Sequence, residues 1–259
     1  MYEKGGIILK ALITGASSGI GRDMARILGK SGHELILVAR NEHSMNELKK
    51  ELKTNVQVIS CDLSVPQNCF DLYDRVKNEN IDILINNAGY GIFGKFTETS
   101  VYNELNMIDL NIKAVHILTK LFVKDFIAKD KGFILNVSSS AGLLPAGPLL
   151  SSYYASKSYV SSLTLAVYEE LRKTKCNVVI SQLCPGPVDT DFNKRAGGKF
   201  TLHSSDSYKV AEYALHQMFR GKTIIVPGPI LKAGLLLPRF FSKKLVTKVV
   251  HSFQESKSL

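Results

Sequence analysis

The segment at residues 14–21, Thr-Gly-Ala-Ser-Ser-Gly-Ile-Gly, constrains the fold most, because it separates two different hydrophobic patterns. Before it, apolar and β-branched residues fill positions 7–9 and 11–13, which is typical of a buried strand. After it, apolar residues recur at helical spacing over 24–28. A strand, a glycine turn and a helix in this order can hold a pyrophosphate, because glycines let the backbone approach it and the helix N-terminus supplies amide groups.

The glycine segment therefore predicts a phosphate-binding loop for a dinucleotide, with the spacing Gly-x-x-x-Gly-x-Gly. A glycine cluster alone is more often a simple turn, and it is the flanking strand and helix that favour a binding site. The residues expected to contact the dinucleotide here are Gly15, Ser17, Ser18, Gly19, Ile20 and Gly21.

Strand-like runs alternate with helical stretches along the rest of the chain, and this order predicts a parallel sheet covered by helices on both faces. The chain has 259 residues, 45% of them hydrophobic, which is enough to bury one sizeable α/β core. We predict a single doubly wound, Rossmann-type domain over residues 1–228, with about seven mostly parallel strands, and a helical extension over 229–259. After the first strand, the expected strands are 34–39, 56–60, 82–86, 132–138, 177–184 and 222–226.

Tyr153 and Lys157 are four residues apart in a stretch of helical character, so the phenol and the ammonium lie on one face of a helix. A nearby cation favours the phenolate and should lower the tyrosine pKa toward a range useful for proton transfer. A second pair with this spacing, Tyr73 and Lys77, is interpreted as a chance arrangement on a surface helix. The first pair differs from the second because several other motifs accompany it.

These accompanying motifs follow the predicted strands in order. Asn-Asn-Ala-Gly at 86–89 follows the fourth strand, and Asn-Val-Ser-Ser-Ser-Ala-Gly at 136–142 closes the fifth. Pro-Gly-Pro-Val-Asp-Thr at 185–190 follows the sixth. With the glycine loop and the Tyr-x-x-x-Lys pair, they make the chain resemble the short-chain dehydrogenase/reductase family from about residue 7 to about residue 226.

The resemblance implies a catalytic set and a set of contacts to a nicotinamide cofactor. The catalytic residues would be Asn111, Ser139, Tyr153 and Lys157. Asp62 stands where the family contacts adenine. Outside the glycine loop, the implied cofactor contacts are Asp62, Leu63, Asn87, Ala88, Gly89, Tyr153, Lys157, Pro185, Gly186, Val188 and Thr190.

The resemblance also implies a role for each catalytic residue. In reduction, Tyr153 would donate a proton to the reacting carbonyl oxygen, and Ser139 would hydrogen-bond that oxygen. Lys157 would lower the Tyr153 pKa and hold ribose hydroxyls, while Asn111 would anchor a water that links Lys157 to solvent. The 14 residues from Ser139 to Tyr153 are one more than is usual in the family, so Ser140 is an alternative. The Ser-x-Ala-Gly alignment favours Ser139.

The end of the second strand indicates which nicotinamide cofactor is used. A site for NAD usually places an acid there to bind the ribose 2′-hydroxyl. Here Ala39 and Arg40 occupy the position, and a guanidinium suits a bidentate contact with the 2′-phosphate of NADP. We therefore predict NADP, with Ser17 as a second contact to the phosphate. The alternative is that Arg40 is only a solvated strand end.

The segments expected around the substrate are almost wholly apolar. They are residues 143–150, Tyr90, Ile92, Phe93 and Phe192. An apolar pocket selects apolar ligands, so the resemblance and this lining together predict an NADP-dependent carbonyl reductase acting on an apolar carbonyl or alcohol. A non-catalytic NADP-binding sensor or scaffold is the alternative. Residues from 190 to about 206 are expected to form a mobile lid.

The cysteines and histidines predict no metal site, because neither set shows ligand spacing. Four cysteines without a Cys-x-x-Cys pair favour buried, reduced thiols and a cytoplasmic protein. The resemblance further implies a homodimer or homotetramer built through helices near 100–128 and 152–174. No nucleic-acid-binding motif accompanies the basic charge, so no nucleic-acid partner is expected.

The C-terminal extension carries half of the formal net charge of +10, because residues 229–259 contain six lysines and arginines against one acid. Apolar residues at positions 241, 245, 249 and 253 recur every four residues and predict one apolar face on a helix. Two uses of that face are considered. It packs on this domain or a neighbouring subunit, which we favour, or it contacts an anionic membrane surface.

Overall fold

The computed structural model describes residues 7–189 and 205–255. Its strands are β1 (Lys10–Thr14), β2 (Glu34–Ala39), β3 (Val56–Ser60), β4 (Ile83–Asn86), β5 (Gly132–Val137), β6 (Val178–Leu183) and β7 (Ile224–Ile225). They form one sheet in the order β3-β2-β1-β4-β5-β6-β7, and every pair of neighbouring strands is parallel. The predicted seven-stranded parallel sheet is therefore confirmed.

Helices connect the strands and cover the sheet. Among the described residues they are α1 (Gly19–Lys30), α2 (Glu42–Glu51), α3 (Pro66–Val76), α4 (Val101–Ile108), α5 (Val115–Ala128), α6 (Ser151–Thr174), α7 (Ser207–Phe219), α8 (Pro229–Gly234) and α9 (Lys243–Glu255). A π-helical turn at Asp109–Ala114 joins α4 to α5, and 3-10 helices occupy Ser140–Leu143 and Leu237–Phe240.

Alternate residues of the central strands point to opposite faces of the sheet, and each face is buried under helices. Ile13 of β1 belongs to a core that includes Met24 of α1 and Leu215 of α7. Its neighbour Leu12 belongs to the core on the other face, which includes Phe122 of α5. Because both faces are buried, the strands are apolar without alternation, and the doubly wound Rossmann-type fold is confirmed.

The strand order reverses at β1, which pairs with β2 on one side and with β4 on the other. The connection from β1 leads to β2 and the connection from β4 leads to β5, in opposite directions, and this leaves a crevice outside the carboxyl ends of the two strands. The glycine loop follows β1, the Asn-Asn-Ala-Gly segment ends β4, and the serine segment follows β5. The topology therefore brings these three motifs to one edge of the sheet.

The observed strands agree with the predicted ones to within two residues, apart from the start of the first. β1 begins at Lys10, opposite Glu34, the first residue of its partner β2. Ile7 and Ile8 precede the paired region and are 68% and 66% exposed. Their apolar character imitates a strand, but no neighbouring strand extends far enough to pair with them.

The C-terminal helix packs on its own domain as favoured, but not through the predicted apolar face at positions 241, 245, 249 and 253. The buried residues of α9 are Val246, Val250 and Gln254, and Gln254 Nε2 donates to the Tyr154 hydroxyl at 2.9 Å. The predicted residues are exposed instead: Phe241 by 55%, Leu245 by 48%, Val249 by 62% and Phe253 by 46%. Two apolar rows lie about 100° apart on this helix. The row of Val246 and Val250 is covered, because Gln254 on the same side of the helix is hydrogen-bonded to Tyr154.

Candidate active site

The glycine loop is shaped for the close approach of a ligand. Gly15 and Gly19 have φ values of +65° and +54°, which residues with a Cβ adopt only at a cost. A Cβ on Gly21 would lie 2.3 Å from Asn87 Nδ2, so no other residue fits there. Ser18 caps α1 without a side-chain hydrogen bond. The first amide groups of the helix therefore stay available to an anion.

Thr14 and Asn87 fix this loop to the end of β4. Thr14 Oγ1 accepts hydrogen bonds from the backbone amides of Asn87 and Ala88 at 2.9 and 3.0 Å. Asn87 Nδ2 in turn donates to the carbonyl oxygens of Thr14 and Gly15 at 3.0 and 3.1 Å. Thr14 is a site residue that was not predicted from the sequence. The sequence feature that could have indicated its role is a hydroxyl residue at the end of an otherwise apolar strand.

Tyr153, Lys157 and Ser139 come together at the carboxyl edge of the sheet. Lys157 Nζ lies 5.9 Å from the centroid of the Tyr153 ring, one turn away on α6, and donates to the Val137 carbonyl at 2.9 Å. The Ser139 side chain hydrogen-bonds to Tyr153. Tyr153 is 9% exposed and Lys157 is 5% exposed. Three of the four predicted catalytic side chains are therefore adjacent, and two of them, Tyr153 and Lys157, are almost withdrawn from water.

Burial controls the protonation of this pair. Loss of water raises the pKa of Tyr153 to about 12, and the hydrogen bond with Ser139 only partly opposes that rise. Loss of water also lowers the pKa of Lys157 to about 8, because the charged ammonium is disfavoured. The predicted lowering of the Tyr153 pKa by Lys157 is therefore wrong for this structure. Desolvation outweighs it, and Tyr153 keeps its proton at neutral pH.

Asn111 lies in the π-helical turn, a feature often found at functional sites, and is fully buried. Its Oδ1 accepts from the Tyr90 amide at 3.1 Å, and its Nδ2 donates to the Tyr90 carbonyl at 2.8 Å and to Ser156 Oγ at 3.1 Å. A Cβ on Gly89 would lie 2.9 Å from Asn111 Oδ1 and 3.4 Å from Lys157 Nζ. Asn111 therefore holds the Asn-Asn-Ala-Gly segment that ends β4 beside Lys157. The water that Asn111 would anchor stays a prediction.

The three consecutive serines after β5 have different surroundings. Ser138 is buried, and its Oγ donates to the Lys157 carbonyl at 2.9 Å. Ser139 caps the 3-10 helix that follows and hydrogen-bonds to Tyr153. The Ser140 amide donates at 2.8 Å to a carbonyl of the loop after β6. This geometry favours Ser139 over Ser140 as the hydroxyl that acts beside Tyr153.

The side chains at the ends of β2 and β3 lie at the far side of the glycine loop. Arg40 is 62% exposed, and its Nη1 lies 3.8 Å from Asp62 Oδ2. Ser64 fixes Asp62 by donating its amide and its hydroxyl to Asp62 Oδ1 at 3.0 and 2.8 Å. Leu63 between them is buried. Because an exposed ion pair in water is weak, a phosphate can recruit the Arg40 guanidinium without a large loss.

The Pro-Gly segment after β6 lies against α8. A Cβ on Gly186 would come within 3.3 Å of Leu231 Cδ2, and Pro185 and Val188 are buried. Thr190 lies outside the described residues, as do Phe192 and nearly all of the predicted lid.

A buried amide network, which was not predicted from the sequence, lies beneath the site. Asn86 Nδ2 donates to Asn136 Oδ1 at 2.9 Å and to Thr119 Oγ1 at 3.0 Å. Asn136 Nδ2 donates to Thr164 Oγ1 at 3.0 Å. These bonds tie β4 and β5 to α5 and α6, and they fix the position of the helix that carries Tyr153. The sequence feature that could have indicated this network is an asparagine at or next to the end of each of two apolar strands.

An apolar cluster surrounds Tyr153. Its buried members are Met107, Ala141, Leu150, Tyr153, Tyr154, Val246 and Val250, and Tyr90, Ile92, Phe93 and Leu144 pack against them. The predicted segments at 90–93 and 143–150 therefore contribute to one cluster. Met107 of α4 and the two valines of α9 were not predicted. The C-terminal helix forms part of the wall of the candidate site.

Within residues 7–189 and 205–255, no group of three or more His, Cys, Asp or Glu side chains is placed to hold a metal ion. All four cysteines are free, two of them buried and two half-buried. Burial raises the pKa of Cys69 and of Cys184 to about 12. These two thiols are therefore poor nucleophiles at neutral pH, although Cys184 lies close to Lys157.

Comparison with known proteins agrees with this architecture. The family model described as short chain dehydrogenase matches residues 9–199, most of the chain and all of the motifs described above except the last strand. The chain belongs to the short-chain dehydrogenase family of oxidoreductases. Two curated relatives are similar to this chain over most of its length. An uncharacterized oxidoreductase from Staphylococcus epidermidis is 32% identical over 211 residues, which cover 80% of this chain and 90% of the relative. The very-long-chain 3-oxoacyl-CoA reductase of Homo sapiens is 31% identical over 192 residues, 71% of this chain and 61% of the relative.

Two solved structures of short-chain dehydrogenases share the fold. The enzyme from Sphingobium yanoikuyae, in complex with NADPH, has a TM-score of 0.80 at 27% identity and covers 91% of this chain and 97% of its own. The enzyme from Burkholderia phymatum, in complex with NAD, has a TM-score of 0.79 at 25% identity and covers 89% of this chain and 92% of its own. Both nicotinamide cofactors therefore occur on this architecture, and local residues must select between them.

Proposed function

We propose that this short-chain dehydrogenase is an NADP-dependent carbonyl reductase, which transfers hydride between the nicotinamide and the carbonyl or alcohol group of an apolar substrate. The observation that carries the proposal is the pair of buried side chains Tyr153 and Lys157, with Ser139 beside Tyr153 and Gly89 beside Lys157. A module that only senses or scaffolds around NADP has no need to bury a lysine with a pKa of about 8 beside a tyrosine.

The residues present fit a dinucleotide phosphate. The glycine loop leaves a cradle that a Cβ would fill, and the amides of the first turn of α1 face it. Arg22 in that turn has a buried Nε without a hydrogen-bond partner among the described residues. Arg40 supplies an exposed guanidinium where an acid would select NAD. We assign the phosphate end of the cofactor to this loop, and the adenine to Asp62 and Leu63.

The nicotinamide end is assigned to the residues around Lys157. Asn87, Ala88 and Gly89 line the end of β4, and Gly89 is close to both Asn111 and Lys157. The Pro-Gly segment follows β6 at the same edge of the sheet and would also hold the nicotinamide end. When bound, the cofactor supplies the hydride, and the protein supplies placement and the proton.

The chain's own groups then manage the proton and the charge on the substrate oxygen. Tyr153 is protonated at neutral pH, which is the state a proton donor needs. Lys157 is mostly cationic below pH 8 and would stabilise the phenolate that remains after transfer. Ser139, already hydrogen-bonded to Tyr153, would donate to the same substrate oxygen. The apolar cluster around Tyr153 excludes water and selects an apolar carbonyl compound.

A panel of aliphatic, aromatic and long-chain ketones, assayed with NADPH and NADH side by side, tests the proposed function. We expect turnover of apolar ketones with NADPH as the preferred reductant, because the lining of the site is apolar. NADPH binding without turnover of any compound would favour the sensor instead. Faster turnover with NADH would contradict the assignment of Arg40.

Arg40→Ala should remove most of the preference for NADPH. A charge-assisted hydrogen bond to one guanidinium contributes about 1.5–3 kcal/mol, so NADPH affinity should fall by roughly 10- to 100-fold. NADH affinity should not change, because NADH presents no phosphate to Arg40. Titration of intrinsic or cofactor fluorescence measures both affinities. An equal loss with the two cofactors would show that Arg40 supports the fold instead, through its contact with Asp62.

Ser139→Ala should lower kcat by roughly 10²–10³-fold, the usual effect of losing one donor to a developing oxyanion. Ser140→Ala is the matched control, because it removes the same hydroxyl one residue away. Its kcat should stay close to that of the unmodified protein. Steady-state kinetics on one accepted ketone compares the two variants. A larger loss in Ser140→Ala would move the active hydroxyl by one residue.

We also propose a homodimer or homotetramer, supported by exposed apolar side chains on the predicted helices. These are Val101, Tyr102 and Leu105 on α4 and Tyr159, Leu165 and Tyr168 on α6. Light scattering reads the assembly directly, and a monomer at micromolar concentration would contradict it.

The four free cysteines support a reducing cytoplasm as the compartment, which cell fractionation tests.

A further inference from the structure

The C-terminal part of the described chain exposes apolar and basic side chains together. α9 packs on the domain through one face only, and its neighbouring apolar row faces solvent. Leu245 and Val249 in that row are 48% and 62% exposed, and Phe240, just before α9, is 84% exposed. We name this the C-terminal surface and define it by Leu237, Phe240, Phe241, Lys243, Lys244, Leu245, Lys248 and Val249.

We propose that the C-terminal surface docks on the anionic surface of a lipid bilayer. Apolar side chains of this size are seldom left exposed together without a function. An amphipathic helix with lysines beside an apolar row lies in the plane of the headgroups, with the apolar row directed toward the acyl chains.

The distribution of side chains around α9 suits this arrangement. The buried row of Val246 and Val250, the exposed row of Leu245 and Val249, and the basic row of Lys244 and Lys248 are roughly 100–160° apart. The helix can therefore pack on its domain and contact a second surface at the same time. Lysine stems are long enough to reach headgroups from beside an apolar row.

Charge complementarity indicates which partner contacts the C-terminal surface. Lys232, Lys243, Lys244 and Lys248 form no ion pair with any residue in the described ranges. The single acid of residues 229–259, Glu255, lies 3.5 Å from His251 Nε2. A second copy of this chain would bring lysines against lysines. Anionic headgroups above an apolar layer match the charged and the apolar side chains at once.

No helix in the described ranges is both long enough and apolar enough to cross a bilayer. The proposal concerns contact at the membrane surface.

Docking would also bring the candidate active site to the lipid. Gln254 of α9 donates to Tyr154, and Val246 and Val250 belong to the apolar cluster around Tyr153. An apolar substrate dissolved in the bilayer would then reach the site beside the docked helix. This last step rests on the proposed function, whereas docking itself does not.

Flotation of the full-length protein with vesicles tests the docking. One set consists of phosphatidylcholine with phosphatidylserine, and the other of phosphatidylcholine alone. We expect flotation with the anionic vesicles only, and release as salt rises, because surface charges are screened over about 8–10 Å at physiological ionic strength. No catalysis is measured, so failure here is distinguishable from failure of the proposed reductase activity.

Two variants assign the binding to the C-terminal surface. Changing Lys243, Lys244 and Lys248 together to Gln should weaken vesicle binding on the order of 100-fold, at about fivefold per charge. Changing Leu245 and Val249 together to Ser should weaken it roughly tenfold or more, because the apolar contribution is lost. Both sets are exposed, so unfolding is not expected, and NADPH binding checks that each variant is folded.

The control changes the same net charge elsewhere. Lys49, Lys53 and Lys222 are exposed and form no ion pair among the described residues, and their replacement by Gln should leave vesicle binding unchanged. An equal loss in this control would show a non-specific effect of net charge and overturn the proposal. Failure of the unmodified protein to float would also overturn it. If the Leu245 and Val249 variant instead dissociates an oligomer, the occupant is a second copy.

Discussion

Tyr153→Phe should lower kcat on an accepted ketone by roughly 10²–10⁴-fold, the usual contribution of general acid–base catalysis. Dinucleotide binding should persist, because the phenol ring remains in its apolar cluster. The neighbouring Tyr154 cannot replace it. That residue points about 100° away around α6, and its hydroxyl is engaged by Gln254. Steady-state kinetics and a cofactor-binding titration measure the two effects, and near-normal turnover would contradict the assignment.

Tyr73→Phe is the matched control, because it removes a phenol hydroxyl from the other Tyr-x-x-x-Lys pair. The structure agrees with a chance spacing in that pair, because the two side chains have different partners. Tyr73 donates to the Asp125 carboxylate at 2.9 Å, packs edge-on against Phe122, and leaves Lys77 to pair with Asp74. The variant should keep full activity per folded molecule. It should lose about 1.5–3 kcal/mol of unfolding free energy, since the hydrogen bond is to a charged group.

Lys157→Met should lower kcat by at least roughly 10²-fold, because the cation that would stabilise the Tyr153 phenolate is removed from a site with little water. The side chains are similar in length, so the packing of α6 should survive. Activity measured with one ketone, beside a cofactor-binding titration, separates loss of turnover from loss of binding. Turnover close to that of the unmodified protein would show that Lys157 has no role in proton transfer.

The same substitution should change how stability depends on pH. The pKa of Lys157 is about 8 in the folded chain and near 10.5 in the unfolded one, so the unfolded state binds more protons between these values. The stability of the unmodified protein therefore gains a rising contribution from about pH 8 to about pH 10.5, and the full penalty applies below pH 8. The size of this contribution is on the order of 3 kcal/mol as an upper limit.

Lys157→Met lacks that contribution. Relative to the unmodified protein, it should be most stable near pH 7, and the difference should shrink as the pH approaches 10. Loss of the hydrogen bond to Val137 shifts the difference by a constant amount and leaves its pH dependence unchanged. Chemical denaturation at pH 7, 8.5 and 10 measures the trend. A difference that is constant over this range would mean that Lys157 is not desolvated in the folded protein.

Most of the architecture could be predicted because it depends on local patterns. The strands at 34–39 and 56–60 are short segments rich in apolar and β-branched residues, and both were predicted to the residue. The site was predictable where spacing alone places two side chains together, as for Tyr153 and Lys157 on one turn of α6. Ile7 and Ile8 show the limit of such patterns. They have the composition of a strand, but a strand also needs a paired neighbour.

Site residues that act through distant contacts were harder to predict. Asn86 and Asn136 are far apart along the chain, and their hydrogen bond depends on the pairing of β4 with β5. Thr14 supports the glycine loop only because Asn87, which directly follows the adjacent strand β4, reaches it. Neither contact leaves a periodic signal, since one polar residue at a strand end is compatible with a turn as well as with a buried network.

By itself, the sequence determined the α/β class, the glycine loop and the Tyr153–Lys157 pair, because backbone freedom at glycine, side-chain period and one helical turn are local properties. Only the tertiary structure decided three further points. It placed Ser139, not Ser140, beside Tyr153, it covered Val246 and Val250 and exposed Leu245, and it raised the Tyr153 pKa. Each of these depends on which distant surface excludes water from a given side chain, and the neighbours of a residue along the chain do not specify that surface.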